Sequence, residues 1–242
     1  MNVGGVKMLN DMNVSGIGIV AKGEYNRVTV SGVAKILGEV KSKSLDISGT
    51  AKSFGNINSD YINVSGSFRS NSNIECKDKI EINGTLTCDK EIKGNDIRIN
   101  GYAKVLSKVQ FDRLEVNGGL KALEGAEGRR FLLDGAIKID GLLSADNISI
   151  NVFKTSKVKE IGGEDIVIKK RNQSVFSSIF FRSKVISNLI EGDKIYLEKT
   201  MAKIVRGEDI TIGEGCVIDK VEYTKNLNIL EGAKVKEKIL IK

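Results

Sequence analysis

The sequence predicts an all-β chain wound into a triangular parallel β-helix, a solenoid with turns of about 17 residues. Three observations lead there. A five-residue unit recurs at nearly constant spacing, apolar residues recur three times inside each interval, and proline is absent from all 242 residues. Proline cannot donate to a β ladder and is confined to edges and bulges, so its absence suits rungs bonded on both sides. Hydrophobic residues make up 40% and charged residues 29%, the balance of a folded chain.

The repeated unit reads apolar, polar, apolar, small polar, glycine. It appears as Val28-Thr29-Val30-Ser31-Gly32, Leu45-Asp46-Ile47-Ser48-Gly49 and Ile62-Asn63-Val64-Ser65-Gly66. It continues as Ile80-Glu81-Ile82-Asn83-Gly84, Ile97-Arg98-Ile99-Asn100-Gly101, Leu114-Glu115-Val116-Asn117-Gly118 and Phe131-Leu132-Leu133-Asp134-Gly135. The seven glycines step by 17, 17, 18, 17, 17 and 17 residues. Aligning the turns on them sorts the other positions. Two residues after each glycine stand Ala34, Ala51, Phe68, Leu86, Ala103, Leu120 and Ile137; eight after stand Val40, Ile57, Ile74, Ile92, Val109, Ala126 and Leu143. Alternation of period two within each short stretch is the strand signature. Three strands of about six residues per turn, stacked ~4.8 Å apart, close a triangle whose inward columns form continuous aliphatic stacks. One rung cannot bury its own face, so neighbours are required.

Corners follow from the same alignment. Six residues before the glycines stand Asn26, Lys43, Asp60, Asp78, Asn95, Asp112 and Arg129, mostly residues that bond their own backbone at turns. Directly before the glycines runs a ladder from Ser31, Ser48 and Ser65 through Asn83, Asn100 and Asn117 to Asp134. The glycines themselves are expected to supply a positive φ at a corner.

The pattern sets four segments: a leader over 1–11, a main coil over 12–170, an apolar interruption over 171–194, and further coil over 195–242. Met12-Asn13-Val14-Ser15-Gly16 reads as a first rung one residue short. Ile148-Ser149-Ile150 and Ile166-Val167-Ile168 keep the rhythm with Val152 and Lys170 in place of glycine. After the interruption, Ile195-Tyr196-Leu197, Ile210-Thr211-Ile212, Leu227-Asn228-Ile229 and Ile239-Leu240-Ile241 resume it. About a dozen turns make a rod of about 60 Å.

Composition narrows function. The chain contains no histidine, which removes imidazole triads, His-ligated zinc and a His-bound haem. No constellation of the remaining residues forms an active site, so no enzyme, metal or cofactor is expected. Cys76, Cys88 and Cys216 form no CxxC pair and read as buried structural thiols in a reducing compartment. Lacking a signal-like or membrane-spanning apolar run, the chain is expected in the cytoplasm.

The repeated I-x-V-x-G unit resembles that of the bactofilins, bacterial cytoskeletal proteins. A C-terminal stretch strengthens the likeness: Ile190-Glu191-Gly192-Asp193-Lys194-Ile195-Tyr196-Leu197, Val205-Arg206-Gly207-Glu208-Asp209-Ile210-Thr211-Ile212-Gly213, Gly215-Cys216-Val217-Ile218-Asp219 and Val221-Glu222-Tyr223. The chain is similar to the longer members from Gram-positive bacteria, over residues from about 12 to 242. The resemblance implies a right-handed coil, end-to-end polymerisation without nucleotide, and service as a scaffold in cell-envelope or cell-shape organisation. Its partners would be further copies of itself, with the inner-membrane surface or envelope-synthesis proteins as additional candidates and no specific nucleic acid. The alternative is a non-polymeric β-helical platform for a membrane or envelope partner.

Three features are candidates for interaction. Ile239, Leu240 and Ile241 look like an end strand with no helix or proline to close it, a candidate polymerisation edge. Phe176, Ile179, Phe180 and Phe181 lie in the interruption beside Arg171, Arg182 and Lys184, where Phe176, Ile179, Phe180 and Ile186 approximate one helical face. Aromatics beside cations suit a membrane or partner contact; a short covering helix or loop is the other reading. Three residues after the glycines stand Lys35, Lys52, Arg69, Thr87, Lys104, Lys121 and Lys138, a basic row. It is expected to face solvent, partly neutralised by Asp46, Glu81 and Glu115, and could meet an anionic surface.

Overall fold

The computed structural model describes residues 9–171 and 183–241. Within them the chain forms 19 strands in one parallel ladder and no helix. Each strand between the two ends pairs with the one a turn earlier and the one a turn later, giving a β-solenoid of about 13 turns. The first face of the triangle carries the repeated unit, the second face the residues just after the glycine, and the third face the residues around Val40 and its successors.

The inside–outside assignment holds on all three faces. On the first, the inward column runs from Val28 through Leu45, Ile62 and Ile80 to Ile210, each buried. Val30, Ile47, Val64 and Ile82 form a second buried column two residues on, while Glu81 between Ile80 and Ile82 is half-exposed. On the second face the inward residues include Phe68, Leu86 and Leu120; on the third they run Val40, Ile57, Ile74, Ile92, Val109, Ala126 and Leu143. Burying each such aliphatic side chain contributes roughly 1.5–3 kcal/mol, and no turn gains it without a neighbour above or below.

The glycines do stack in one corner column, but not for the expected reason. None of the seven has a φ in the left-handed region; the positive-φ glycines are Gly38, Gly125, Gly215 and Gly232. What the corner demands is proximity. A Cβ on Gly49, Gly66, Gly84, Gly101, Gly118 or Gly135 would overlap the carbonyl oxygen of the glycine one turn earlier. This approach carries the ladder round the corner: Gly49 N–H donates to Val30 O at 2.9 Å, and Thr50 N–H donates to Gly32 O at 2.9 Å. The residues just before form a side-chain ladder of their own, with Asn100 Nδ2 donating to Asn83 Oδ1 at 2.8 Å and Asn117 Nδ2 to Asn100 Oδ1 at 3.0 Å.

The other corners use buried donors. Ser53 Oγ donates to Gly55 O at 2.7 Å, Ser70 Oγ to Ser72 O at 2.8 Å and Ser59 Oγ to Tyr61 O at 2.9 Å. Cys76 and Cys88 occupy the same columns. Cys76 Sγ lies 3.1 Å from Lys79 O, and Cys88 Sγ lies 3.4 Å from Ser72 O. Burial pushes the Cys76 and Cys88 thiols up to about 11, so they stay protonated and able to donate. The 18-residue step at Gly84 has a local cause as well. The register shifts between Cys76 and Lys79, so the extra residue is absorbed at the corner joining the third face to the first.

The coil resumes after the interruption earlier than expected. The strand Val185–Leu197 pairs with Ser156–Lys170, Ser156 opposite Val185 and Ile168 opposite Leu197. Val185, Ser187 and Ile190 are buried, supplying the second- and third-face columns before Ile195 restores the first. Ile186 is therefore part of a strand, not of a helical face.

Candidate interaction surfaces

Ile239, Leu240 and Ile241 do not form a first-face strand. Twelve residues separate Leu227 from Ile239, too few for a full turn, as even the short step from Ile195 to Ile210 takes 15. The last strand is Lys234–Leu240, and it places Ile239 against Glu222 and Leu240 against Tyr223 on the third face. Lys238 takes the column position of the buried Val221. Leu240 is 56% exposed and Ile241 38%. In this turn Leu227, Ile229, Ala233 and Val235, which occupy inward columns, are only partly buried. The previous turn differs: Ile210, Ile212, Cys216, Ile218 and Val221 are all buried.

Phe176, Ile179, Phe180 and Phe181 lie outside the described residues. The points where the chain leaves and re-enters are described. Arg171 follows the first face, and Ser183 returns just before the second, its hydroxyl donating to Phe153 O at 2.6 Å. Arg171 lies over the Phe153 ring, 5.1 Å from its centroid, and 3.4 Å from Asp134.

The basic row is in strict register on the second face and longer than the repeat count suggested. Lys35, Lys52, Arg69, Thr87, Lys104, Lys121 and Lys138 lie opposite one another in sequence, and Lys157 extends the column to eight rungs. Above Lys35 the column holds Ile19; below Lys157 it holds Ile186, Met201 and Val217, then Lys234. The expected neutralising acids sit elsewhere. Glu81 pairs with Lys79 at 2.7 Å, and Glu115 with Arg113 at 2.9 Å, both on the first face, because an acid three residues before the glycine and a base three after it face opposite sides of a corner. Hydrogen bonds from Lys79 hold Glu81, and from Asn117 hold Glu115, below the usual carboxylate range.

The third face is charge-paired too. Lys93 lies 3.7 Å from Glu75, and Arg206 bridges Glu191 at 3.2 Å and Glu222 at 2.8 Å. Hydrogen bonds from Lys220 and Arg206 pull Glu222 below its ordinary value. This face also carries a shallow groove of about 540 Å³, where Phe111 stands in one column between Gly94 and Gly128. A side chain at Gly128 would overlap the Phe111 ring, so the glycine is what lets the aromatic fit.

Sequence reasoning missed the buried serines and the aliphatic opening of the basic column. Both were open to column alignment. Ser53 and Ser70 fall four residues after their glycines, beside Cys88, and Ile19 falls three after Gly16.

The architecture defines the class: a parallel β-solenoid with a basic second face. Among known proteins, the chain is similar to the uncharacterized protein YhbF of Bacillus subtilis (strain 168), 40% identical over 101 residues, which is 40% of this chain and 41% of that relative. It is also similar to the uncharacterized protein YhbE of the same organism, 36% identical over 89 residues, 36% of this chain and 38% of that relative. The chain thus spans about two fifths of the length of the curated relatives it matches. No family model and no solved structure matches it. No helix among the described residues is long and apolar enough to cross a membrane.

Proposed function

We propose that the protein is a bactofilin-type scaffold that assembles end to end without nucleotide and organises the cell envelope or cell shape. The observation that carries this reading is the turn from Leu227 to Ile241. Its inward residues Leu227, Ile229, Ala233 and Val235 remain partly exposed where those of the preceding turn are covered, and among the described residues the strand Lys234–Leu240 is bonded on one side only. Unpaired strand edges next to exposed aliphatic surface are a template for further pairing. Another copy continuing the ladder would bury Leu227, Ile229 and Val235 as the preceding turn buries Ile210, Ile212 and Ile218. A continuing ladder needs only backbone bonds and apolar contact, hence no nucleotide.

The test is assembly state. The full chain should sediment as oligomers and appear as filaments by electron microscopy at physiological salt. Leu240→Glu together with Ile241→Lys should shorten them at least several-fold with unchanged β-sheet circular dichroism. A monomer at high concentration would overturn the reading and leave the non-polymeric platform as the better account.

A further inference from the structure

The second face differs electrically from the other two. Seven cations occupy its eight-rung column at ~4.8 Å spacing, a run of about 34 Å. Among the described residues only two of them meet a carboxylate, Arg69 with Asp89 at 3.2 Å and Lys138 with Asp140 at 3.4 Å. Lys52 lies instead over the exposed Phe54 ring, 4.7 Å from its centroid. The first and third faces carry ion pairs within the ladder, among them Lys79–Glu81, Arg113–Glu115 and Arg206–Glu222. Charges of one sign stacked at this spacing repel one another, and a surface of opposite charge laid along them relieves that repulsion.

The same face carries the two most exposed aliphatic residues among the described residues, with two further exposed ones beside them. Ile17 is 93% exposed, Ile19 58%, Val33 51% and Leu37 45%. They cluster on two adjacent turns: Ile17 lies opposite Val33, and Ile19 opposite Lys35 at the head of the cationic column. Tyr102, 43% exposed, stands on the neighbouring outward column of this face. A linear polyanion would match the cations and leave the aliphatic cluster without a role. A bilayer engages both: its headgroups meet the lysines, and its interface takes up aliphatic and aromatic side chains.

We propose that the second face is a peripheral membrane-docking surface, lying flat on a bilayer rich in anionic headgroups, with Ile17, Ile19, Val33 and Leu37 entering the interface at one end. The contact belongs to a single copy and does not depend on assembly.

Flotation of the full chain with vesicles tests it. The protein should float with vesicles containing phosphatidylglycerol and remain behind with pure phosphatidylcholine. Lys104→Glu combined with Lys121→Glu should lower the bound fraction at least ten-fold. Lys93→Glu, on the third face, should leave it within two-fold. Ile17→Ser with Ile19→Ser should weaken binding and abolish the part that survives 0.5 M salt, at which simple charge attraction is largely screened. Circular dichroism and melting curves check that each variant is folded, and the Leu240→Glu, Ile241→Lys variant should float as well as the parent. Equal flotation of the Lys104/Lys121 and Lys93 variants would overturn the assignment of the face. Capture of heparin or polyphosphate without flotation on anionic vesicles would overturn the bilayer in favour of a soluble polyanion.

Discussion

On the first face the coil advances by 17 or 18 residues per turn from Val28 to Ile166, while from Ile195 to Ile210 it advances by 15. Glycines serve two vertices: Gly32 to Gly135 crowd the corner after the first face, while Gly163, Gly192 and Gly207 lie in register before the first face, where Gly94 and Gly128 also stand. A Cβ at Gly192 or Gly207 would overlap the glycine carbonyl of the preceding turn, the same obstruction found at Gly101. The coil thus solves one problem at two different vertices. What the fold requires is an aliphatic lining on three faces and a vertex where backbones come very close.

The largest effect should come from charging the lining in either region. Ile82→Asp and Ile210→Asp each place an unpaired carboxylate in a buried column and should cost several kcal/mol. Glu81→Lys, one residue away and half-exposed, should change the melting temperature little. If Ile210→Asp behaves like Glu81→Lys in thermal melts, the two regions do not share a core.

A smaller effect tests the vertices. Gly101→Ala and Gly207→Ala should each destabilise by about 2–3 kcal/mol, because the opposing atom is backbone and cannot turn aside. Gly16→Ala has nothing within 4 Å of the added Cβ and serves as the control. Chemical denaturation with Gly207→Ala matching Gly16→Ala would confine the close approach to the longer turns.

The smallest effect belongs to Cys76 and Cys88, the buried thiols that take the place of Ser59 and Ser70 in their columns. Cys76 and Cys88 have folded values of about 11 against an ordinary 9.0. A value raised on folding means the unfolded state loses its proton first, so the contribution is complete below pH 9 and is lost as pH rises toward 11. The melting temperature should therefore fall between pH 9 and 11, and Cys76→Ser with Cys88→Ser should flatten that fall. An unchanged slope in the double variant would remove the thiols from the account.

Most of the lining was legible because glycine fixes the phase of each turn, and once phased, Leu86, Phe68 and Ile92 fall inward by counting. The role of the glycines was not legible. A corner that needs positive φ and a corner that needs a bare Cα select the same residue, and only the distance to the turn before separates them. The same limit applies to Ile239–Ile241: three aliphatics resemble a first-face strand until the residues separating them from Leu227 are seen to be too few to close a turn. The basic row was readable as a row, but its lack of neutralising partners was not. Asp46, Glu81 and Glu115 are close in sequence yet lie round a corner, where Lys79, Arg98 and Arg113 reach Glu81 and Glu115 first.

The strict turn-to-turn register bears on how such a chain finds its structure. Nearly all partners in the ladder are about 17 residues apart in a chain of 242, a ratio of about 0.07. That is the range of helical bundles, not of ordinary all-β folds, whose strands must close much longer loops before any contact stabilises them. Once one pair of turns has formed, each further turn closes a loop of constant, modest length on an edge that is already ordered. Folding then resembles crystal growth from a seed, and loss of structure begins at the exposed turns, so amide exchange should be fastest around Lys234–Leu240 and slowest near Ile82–Leu114.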